Sequence, residues 1–239
     1  MLAKAVLQSK INYNKDMKIL GMGNALVDVL AKIDNDEVLP SLGLLRGAMT
    51  LIDEERFVKL SEILDTMDKH VVSGGSASNT ITGLAALGIE SGFVGRVGKD
   101  VYGKLYKEDL QKHGICSHLA EVEDTSGVAS TFISKDGERT FGTFLGAAAM
   151  LSPDDISAEI FKGYDFFYIE GYLVQNYSLI EKAVKLAKES GLIVAIDLAS
   201  FNVVEANIQF LTTIIPQYID IVFANEEEAL ALTGLAPEE

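Results

Sequence analysis

Apolar runs alternate with amphipathic segments along most of the chain, and this pattern predicts strands followed by helices. In residues 178–190, for example, the apolar residues recur at helical spacing, and Gly191 ends the helix. Continuous apolar strands that alternate with such helices indicate a parallel sheet covered on both faces. We expect strands at residues 18–22, 71–72, 92–97, 166–170, 192–198 and 219–224, and helices at residues 77–87, 101–112 and 178–190.

Two stretches interrupt this alternation with short β-like segments. Residues 29–33 and 48–51 form the first, and no good helical pattern lies between them. In the second, residues 128–134 and 139–145 flank Asp136-Gly137, which is a strong hairpin signal. We expect these segments to pair as a small second sheet. The predicted domains are an α/β core at residues 17–28, 52–118 and 151–239, a β layer at residues 29–51 and 119–150, and an N-terminal extension at residues 1–16.

Composition limits the classes of partner. The 239 residues are 48% hydrophobic, which suffices for one large core or two modest ones, and the net charge is -15. Such an acidic surface repels nucleic acid and anionic membranes, so we expect neither as a partner. A single cysteine, Cys116, cannot form an internal disulfide, and the N-terminus lacks the apolar core of a signal peptide. We therefore expect a reducing, cytoplasmic location.

A glycine loop is the most informative short segment. Gly74 and Gly75 follow a β-branched run, and a helix rich in small residues begins directly after them. Such a loop presents bare backbone N–H groups and a helix N-terminus to an oxygen-rich ligand. Asn79 lies in the first turns of that helix, where asparagine is unfavourable, so we expect its side chain to face a ligand.

Polar residues that follow the first and middle strands are further candidates. Asp28 lies in a mostly apolar run, where an unpaired carboxylate is costly, and a sugar diol can donate two hydrogen bonds to it. The alternative is a loop carboxylate or a helix N-cap. Asn24 precedes Asp28 in the same segment. Glu170 ends an apolar strand, where it is either a solvated strand terminus or a second sugar contact.

Asn225 and Glu228 begin a helix directly after the last predicted strand. Asparagine at the N-cap with glutamate three residues later is a capping box, and a carboxylate in that first turn can also hold a metal-bound water. Asp100 lies in a tight glycine turn and is predicted to be a structural helix cap.

Two other types of site are disfavoured. Gly21-Met22-Gly23 invites a dinucleotide-binding interpretation, but Leu26 occupies the position of the third glycine. Cys116 and His118 supply too few ligands for zinc.

These residues together resemble the ribokinase-like (PfkB) family of sugar and nucleoside kinases, and in particular its adenosine-kinase-like branch. The resemblance extends from about Met17 to Gly234. Its pieces are weak singly but specific in their order and spacing. They are residues 23–28, residues 74–79, residues 95–103, residues 145–147, residues 225–229 and the pair Thr233-Gly234.

The resemblance implies a three-layer α/β/α fold, mostly parallel, with a small β-sheet lid. It also implies ATP-dependent phosphorylation of the hydroxymethyl group of a ribose- or adenosine-type substrate. The cofactors that it implies are ATP and Mg²⁺, and it allows a monovalent cation. Lids of this family can pair, which allows a homodimer. The substrate-binding residues implied are Asn24, Asp28, Gly74, Gly75, Asn79 and Glu170; Asn225 and Glu228 would lie near the phosphates, with Glu228 holding Mg²⁺ through water.

One departure from the family is large. The family's G-A-G-D motif, which carries the anion hole and the catalytic base, lies downstream of N-x-x-E, and the sequence ends at Glu239 without it. We therefore expect a C-terminally truncated chain without kinase activity, because those groups supply most of the positioning and charge stabilisation. The alternative is a non-catalytic module that binds a sugar or nucleoside. The lid residues that could stack a base, or merely pack the lid, are Leu42, Leu44, Phe132 and Phe144.

Overall fold

The computed structural model describes residues 17–236, and its main feature is a six-stranded sheet in which every described pairing is parallel. Adjacent residues of a strand point to opposite faces, so Phe93 and Val94 enter different hydrophobic clusters. In spatial order the strands are β11 (Ile221–Phe223), β10 (Ile193–Asp197), β9 (Phe166–Glu170), β1 (Lys18–Met22), β5 (Glu90–Gly98) and β6 (Cys116–Val122).

Helices cover both faces of this sheet. On one side, residues of α3 (Ser76–Ala86) and α4 (Val101–Lys112) pack against the cluster that contains Phe93. On the other side, α5 (Tyr177–Glu189) buries five residues against the cluster that contains Val94. The predicted three-layer α/β/α fold is confirmed. The remaining helices of this side are α6 (Phe201–Ala206), α7 (Ile208–Tyr218) and α8 (Glu226–Thr233).

A second sheet of five strands lies beside the core. The predicted hairpin is confirmed as the antiparallel pair β7 and β8. One face of the sheet is covered by α2 (Glu54–Asp65), which buries Phe57, Leu60 and Leu64. A short helix, α1 (Val38–Ser41), precedes β3. The strand order is β3 (Met49–Leu51), β8 (Arg139–Phe144), β7 (Gly127–Ile133), β2 (Leu26–Lys32) and β4 (Lys69–Gly74).

The structure corrects the assignment of residues 71–72 to the strand–helix alternation of the core. They lie in β4, which pairs antiparallel with β2 in the second sheet. Val71 packs against the hydrophobic core, whereas Val72 is 47% exposed, so the strand is buried on one face only. The second sheet also begins earlier than predicted, because β2 starts at Leu26 and already contains Asp28. Asp28 is thus a strand residue, not a loop carboxylate or an N-cap.

Further elements differ from the sequence pattern. The helices α1, α2, α6 and α7 were not predicted, and β6 extends across residue 119, where the predicted β layer begins. Residues 219–224 were expected to form a buried strand. Only Ile221–Phe223 is a strand, and all three of its residues are exposed at the edge of the six-stranded sheet.

Four connections carry the chain between the two sheets. They are residues 23–25, Gly75, residues 123–126 and residues 145–146. Asp100 caps α4 and accepts hydrogen bonds from the Gly103 N–H at 2.7 Å and from the Ser126 N–H and Oγ at 2.7 Å each, which confirms it as a structural cap. The connection at residues 123–126 is therefore tied to the core by hydrogen bonds.

Within residues 17–236, no helix has both the length and the apolar character needed to cross a bilayer.

Ser130 provides a test of the core of the second sheet. Its side chain is fully buried on β7, and its Oγ has no hydrogen-bond partner among the described residues. An unpaired buried hydroxyl is costly, so we expect Ser130→Ala to stabilise the protein by about 1 kcal/mol, or about 2–4 °C in Tm. Ser91→Ala is the matched control: Ser91 is buried and donates to the Ile89 carbonyl at 2.9 Å, so its loss should destabilise. A lower Tm for Ser130→Ala in thermal unfolding would contradict the assignment.

Candidate functional site

The candidate site lies where β1 and β4 leave their sheets. Gly75 has φ +91°, and a Cβ added there would lie 2.4 Å from the Asn24 carbonyl oxygen. A Cβ on Gly74 would lie 2.5 Å from the Asp28 Cγ and from both carboxylate oxygens. Both glycines are required by close approach, since any side chain would displace Asn24 or Asp28.

Asp28 is a half-buried carboxylate on a strand. It lies opposite Val72 of β4 and Ala129 of β7. Burial raises the pKa of the Asp28 carboxyl, and the positive charge of Arg139 partly opposes this. The carboxylate thus has an unfavourable environment that a pair of donor hydroxyls would improve.

Glu170 is 3% exposed at the end of β9 and binds both connections that border the site. Its Oε1 accepts from the Asn24 Nδ2 at 2.6 Å and from the Asn24 N–H at 3.4 Å. Its Oε2 accepts from the Ser76 Oγ at 2.9 Å and from the Ala77 N–H at 3.2 Å. Burial raises the pKa of Glu170, and these hydrogen bonds lower it in part. The solvated strand terminus considered from the sequence is excluded by this burial.

Asn79 lies in the first turns of α3, and its N–H donates to the Gly75 carbonyl at 2.9 Å. Its side chain is exposed. Five of the six predicted substrate-binding residues therefore lie together, through Asn24–Glu170, Asp28–Gly74 and Asn24–Gly75, whereas Asn79 joins them only by its helical backbone bond to Gly75.

Asn225 and Glu228 form the predicted capping box at the start of α8. The Asn225 Oδ1 accepts from the Glu228 N–H at 2.9 Å, and the Glu228 carboxylate accepts from the Asn225 N–H at 3.0 Å and its Nδ2 at 2.9 Å. Tyr172 follows Glu170 by two residues in the chain. Burial raises the pKa of Tyr172, and the negative charges of Glu170 and Glu228 raise it further.

The side chains at the start of α8 suit a metal ion only as contacts through a bound water. Among residues 17–236, no three His, Cys, Asp or Glu side chains are placed to share a metal ion. Each Glu228 oxygen keeps a lone pair for a metal-bound water, because each accepts one hydrogen bond from Asn225.

Three residues of the site were not identified from the sequence. Ser76 donates to Glu170, and the Tyr106 hydroxyl fixes the loop by donating to the Gly74 carbonyl at 3.2 Å. Arg139 lies above the Phe141 ring, 5.8 Å from its centroid, and acts on Asp28 through its charge. The period of two after the Asp136-Gly137 turn places Arg139 and Phe141 on one face, so this pair was accessible to pattern analysis.

The structure also decides between base stacking and lid packing for two residues. Leu44 and Phe132 are 4% and 0% exposed within the core, so they pack the second sheet. Phe144 stacks on Phe57 with ring centroids 4.7 Å apart.

Comparison with known proteins identifies the family to which the chain belongs. The curated adenosine kinase of Schizophyllum commune is 30% identical over 226 residues, which cover 90% of this chain and 64% of that protein. The guanosine-inosine kinase of Escherichia coli strain K12 is 26% identical over 229 residues, covering 90% of this chain and 52% of that protein. The chain therefore spans about half to two thirds of the length of the curated relatives it matches.

Solved structures give the same result. The adenosine kinase from Sinorhizobium meliloti matches with a TM-score of 0.79 and 32% identity, covering 92% of this chain and 68% of that one. Apo adenosine kinase of Trypanosoma brucei brucei matches with a TM-score of 0.82 and 26% identity, covering 92% of this chain and 69% of that one. The model of the pfkB family carbohydrate kinases matches residues 39–239. The chain belongs to the pfkB family of carbohydrate kinases.

Proposed function

We propose that this chain carries the substrate-binding part of an ATP-dependent kinase that phosphorylates the hydroxymethyl group of an adenosine-type nucleoside. The observation that carries the proposal is the Asp28 carboxylate, held 2.5 Å from the position of a Gly74 Cβ and destabilised by burial. Relatives named adenosine kinase at 30% and 32% identity support the substrate class.

The open face of the second sheet supports a nucleoside over a bare sugar. Cross-strand pairing places Val72, Asp28, Ala129, Thr143 and Leu51 in one row across this face. Asp28 is the single charge of the row, and Val72 and Leu51 are 47% and 56% exposed. A ligand with hydroxyls at one end and a flat apolar ring at the other matches such a row, because hydroxyls pair with the carboxylate while the ring covers apolar surface.

Direct ligand contacts are assigned as follows. Asp28 accepts hydrogen bonds from the ribose hydroxyls, Asn24 and Asn79 contribute amide groups, and Gly74 and Gly75 let the sugar approach the backbone.

We also propose that the same open face allows the homodimer implied by the family, which light scattering after size-exclusion chromatography would detect.

Phosphoryl transfer needs more than these residues. Asn225 and Glu228 are proposed to lie near the ATP phosphates, with Glu228 contacting Mg²⁺ through water; ATP would supply the transferred phosphoryl group. No G-A-G-D motif occurs in the sequence, so we expect no kinase activity from these 239 residues alone. The lack of this motif favours a second candidate, a non-catalytic module that binds the nucleoside.

Isothermal titration calorimetry with adenosine, inosine and ribose tests the proposal. We expect adenosine to bind more tightly than ribose, because ribose lacks a base that would cover the exposed side chains of Val72 and Leu51. Equal binding of ribose and adenosine would contradict the nucleoside assignment, and no binding of any of the three would contradict the sugar site. ATP–Mg²⁺ added to the adenosine complex, with AMP followed by chromatography, separates an active kinase from a binding module.

A further inference from the structure

Glu170 is a buried carboxylate whose hydrogen-bonding capacity is filled by the protein. A carboxylate offers about four lone-pair positions, and four donors reach this one, from Asn24 twice, from Ser76 and from Ala77. A sugar hydroxyl would have to displace one of them. Glu170 is therefore better placed to orient its neighbouring side chains than to bind the sugar directly.

The effect on Asn24 follows from the chemistry of the pair. An ionised carboxylate only accepts, so Asn24 must turn its Nδ2 towards Glu170 and its Oδ1 away. Within residues 17–236, no donor reaches the Asn24 Oδ1, and this oxygen is absent from the buried unpaired atoms. Asn24 is only 7% exposed, so its accessible part includes an oriented acceptor oxygen.

Glu170 also fixes the two connections on which the site is built. Its Oε1 holds the segment that leads from β1 to β2, and its Oε2 lies at the N-terminus of α3 against Ser76 and Ala77. A Cβ on Gly23 would lie 2.6 Å from Oε2, so the carboxylate is packed tightly between them. A negative charge at a helix N-terminus is favourable, which keeps the group in place.

We propose that Glu170 is a positioning residue that orients Asn24, so that the Asn24 Oδ1 faces the nucleoside as a hydrogen-bond acceptor. This inference rests on the proposed function and differs from the direct sugar contact expected from the family resemblance. The inference predicts that the substrate places a hydrogen-bond donor, a hydroxyl, opposite the Asn24 Oδ1.

Exchanging the side-chain amide of Asn24 and the carboxylate of Glu170 tests the proposal. Glu170→Gln permits Asn24 to turn round and present its NH₂, so we expect adenosine affinity to fall about tenfold, the effect of one lost hydrogen bond. The double variant Asn24→Asp/Glu170→Gln restores an acceptor at residue 24 and a donor at residue 170. It should recover affinity to within about threefold of the wild type. A purely structural role predicts no such recovery.

A second measurement does not depend on binding. The side-chain amide of Asn24, identified in ¹⁵N spectra by its loss in Asn24→Asp, should exchange slowly with solvent in the wild type and faster in Glu170→Gln. Equal exchange, unchanged affinity of Glu170→Gln or no recovery in the double variant would each overturn the inference. Failure of the wild type to bind adenosine, with Asn24 exchange still dependent on Glu170, would instead refute the proposed function. If Glu170→Gln does not fold, Asn24→Ala replaces it, and unchanged affinity of that variant overturns the inference.

Discussion

Replacing Asp28 with asparagine should weaken adenosine binding at least about a hundredfold and should at the same time stabilise the free protein. The carboxylate is expected to accept two hydroxyl hydrogen bonds, and bonds to charged groups contribute about 1.5–3 kcal/mol each. In the free protein the same carboxylate is costly, because burial raises its pKa. A binding residue that reduces stability is the usual compromise at functional sites.

The stabilisation should depend on pH with a defined sign. A carboxyl whose pKa is raised by folding destabilises the folded state fully above the folded pKa and not at all below the unfolded value of 3.8. The gain in unfolding free energy from Asp28→Asn should thus be largest near neutral pH and shrink as the pH is lowered through the raised folded pKa towards 3.8. Urea unfolding at three pH values, with calorimetric adenosine titration at pH 7.5, measures both effects.

Asp136→Asn is the matched control for this variant. Asp136 lies at the hairpin turn of the same sheet, where an ion pair with Arg46 lowers its pKa, and Asn-Gly keeps the turn chemistry. Its replacement should leave adenosine binding unchanged and should not stabilise the protein. Asp28→Asn that binds adenosine like the wild type would remove Asp28 from the site.

Replacing Gly75 with alanine should destabilise the protein by about 3 kcal/mol or more. At φ +91° and ψ 135° an alanine is strained, which costs about 1–3 kcal/mol. The added Cβ also meets the Asn24 carbonyl at 2.4 Å, and backbone cannot move aside as a side chain can. The cost therefore exceeds that of strain alone.

Gly83→Ala is the control that separates position from residue type. Gly83 lies inside α3, and a Cβ there meets nothing within 4 Å. Alanine is the better helix former by about 1 kcal/mol, so this variant should be stabilised. Both free energies come from urea unfolding. A Gly75→Ala variant within about 0.5 kcal/mol of the wild type would show that the loop tolerates a side chain.

The core and the hairpin could be predicted from sequence because local pattern determines them. Residues 166–170 and 178–190 are a continuous apolar run and a helical repeat, and the structure has a strand and a helix there. The pair Val71-Val72 was misplaced because two β-branched residues predict a strand without predicting its partner. Sheet membership depends on pairing with β2, more than 40 residues earlier in the chain, which no local window contains.

The candidate site could be proposed from the sequence as a set of residues but not as a set of contacts. Asp28, Gly74, Gly75 and Asn79 were identified because charge in an apolar run and paired glycines are unusual locally. The partners of Glu170 were not, because Asn24 and Ser76 are 146 and 94 residues away from it along the chain. Arg139 is likewise distant in sequence from Asp28. Tertiary structure alone brings these groups together.

The four connections between the sheets have a consequence for how this binding site can change. Asn24 and Gly75 lie on two of them, and Asp100 and Ser126 fix a third. The packing of the two sheets and the spacing of the proposed ligand-binding groups are therefore expected to change together. We expect substitutions of Ser126 and its neighbours to change the affinity for the proposed ligand while every proposed ligand-facing side chain stays intact.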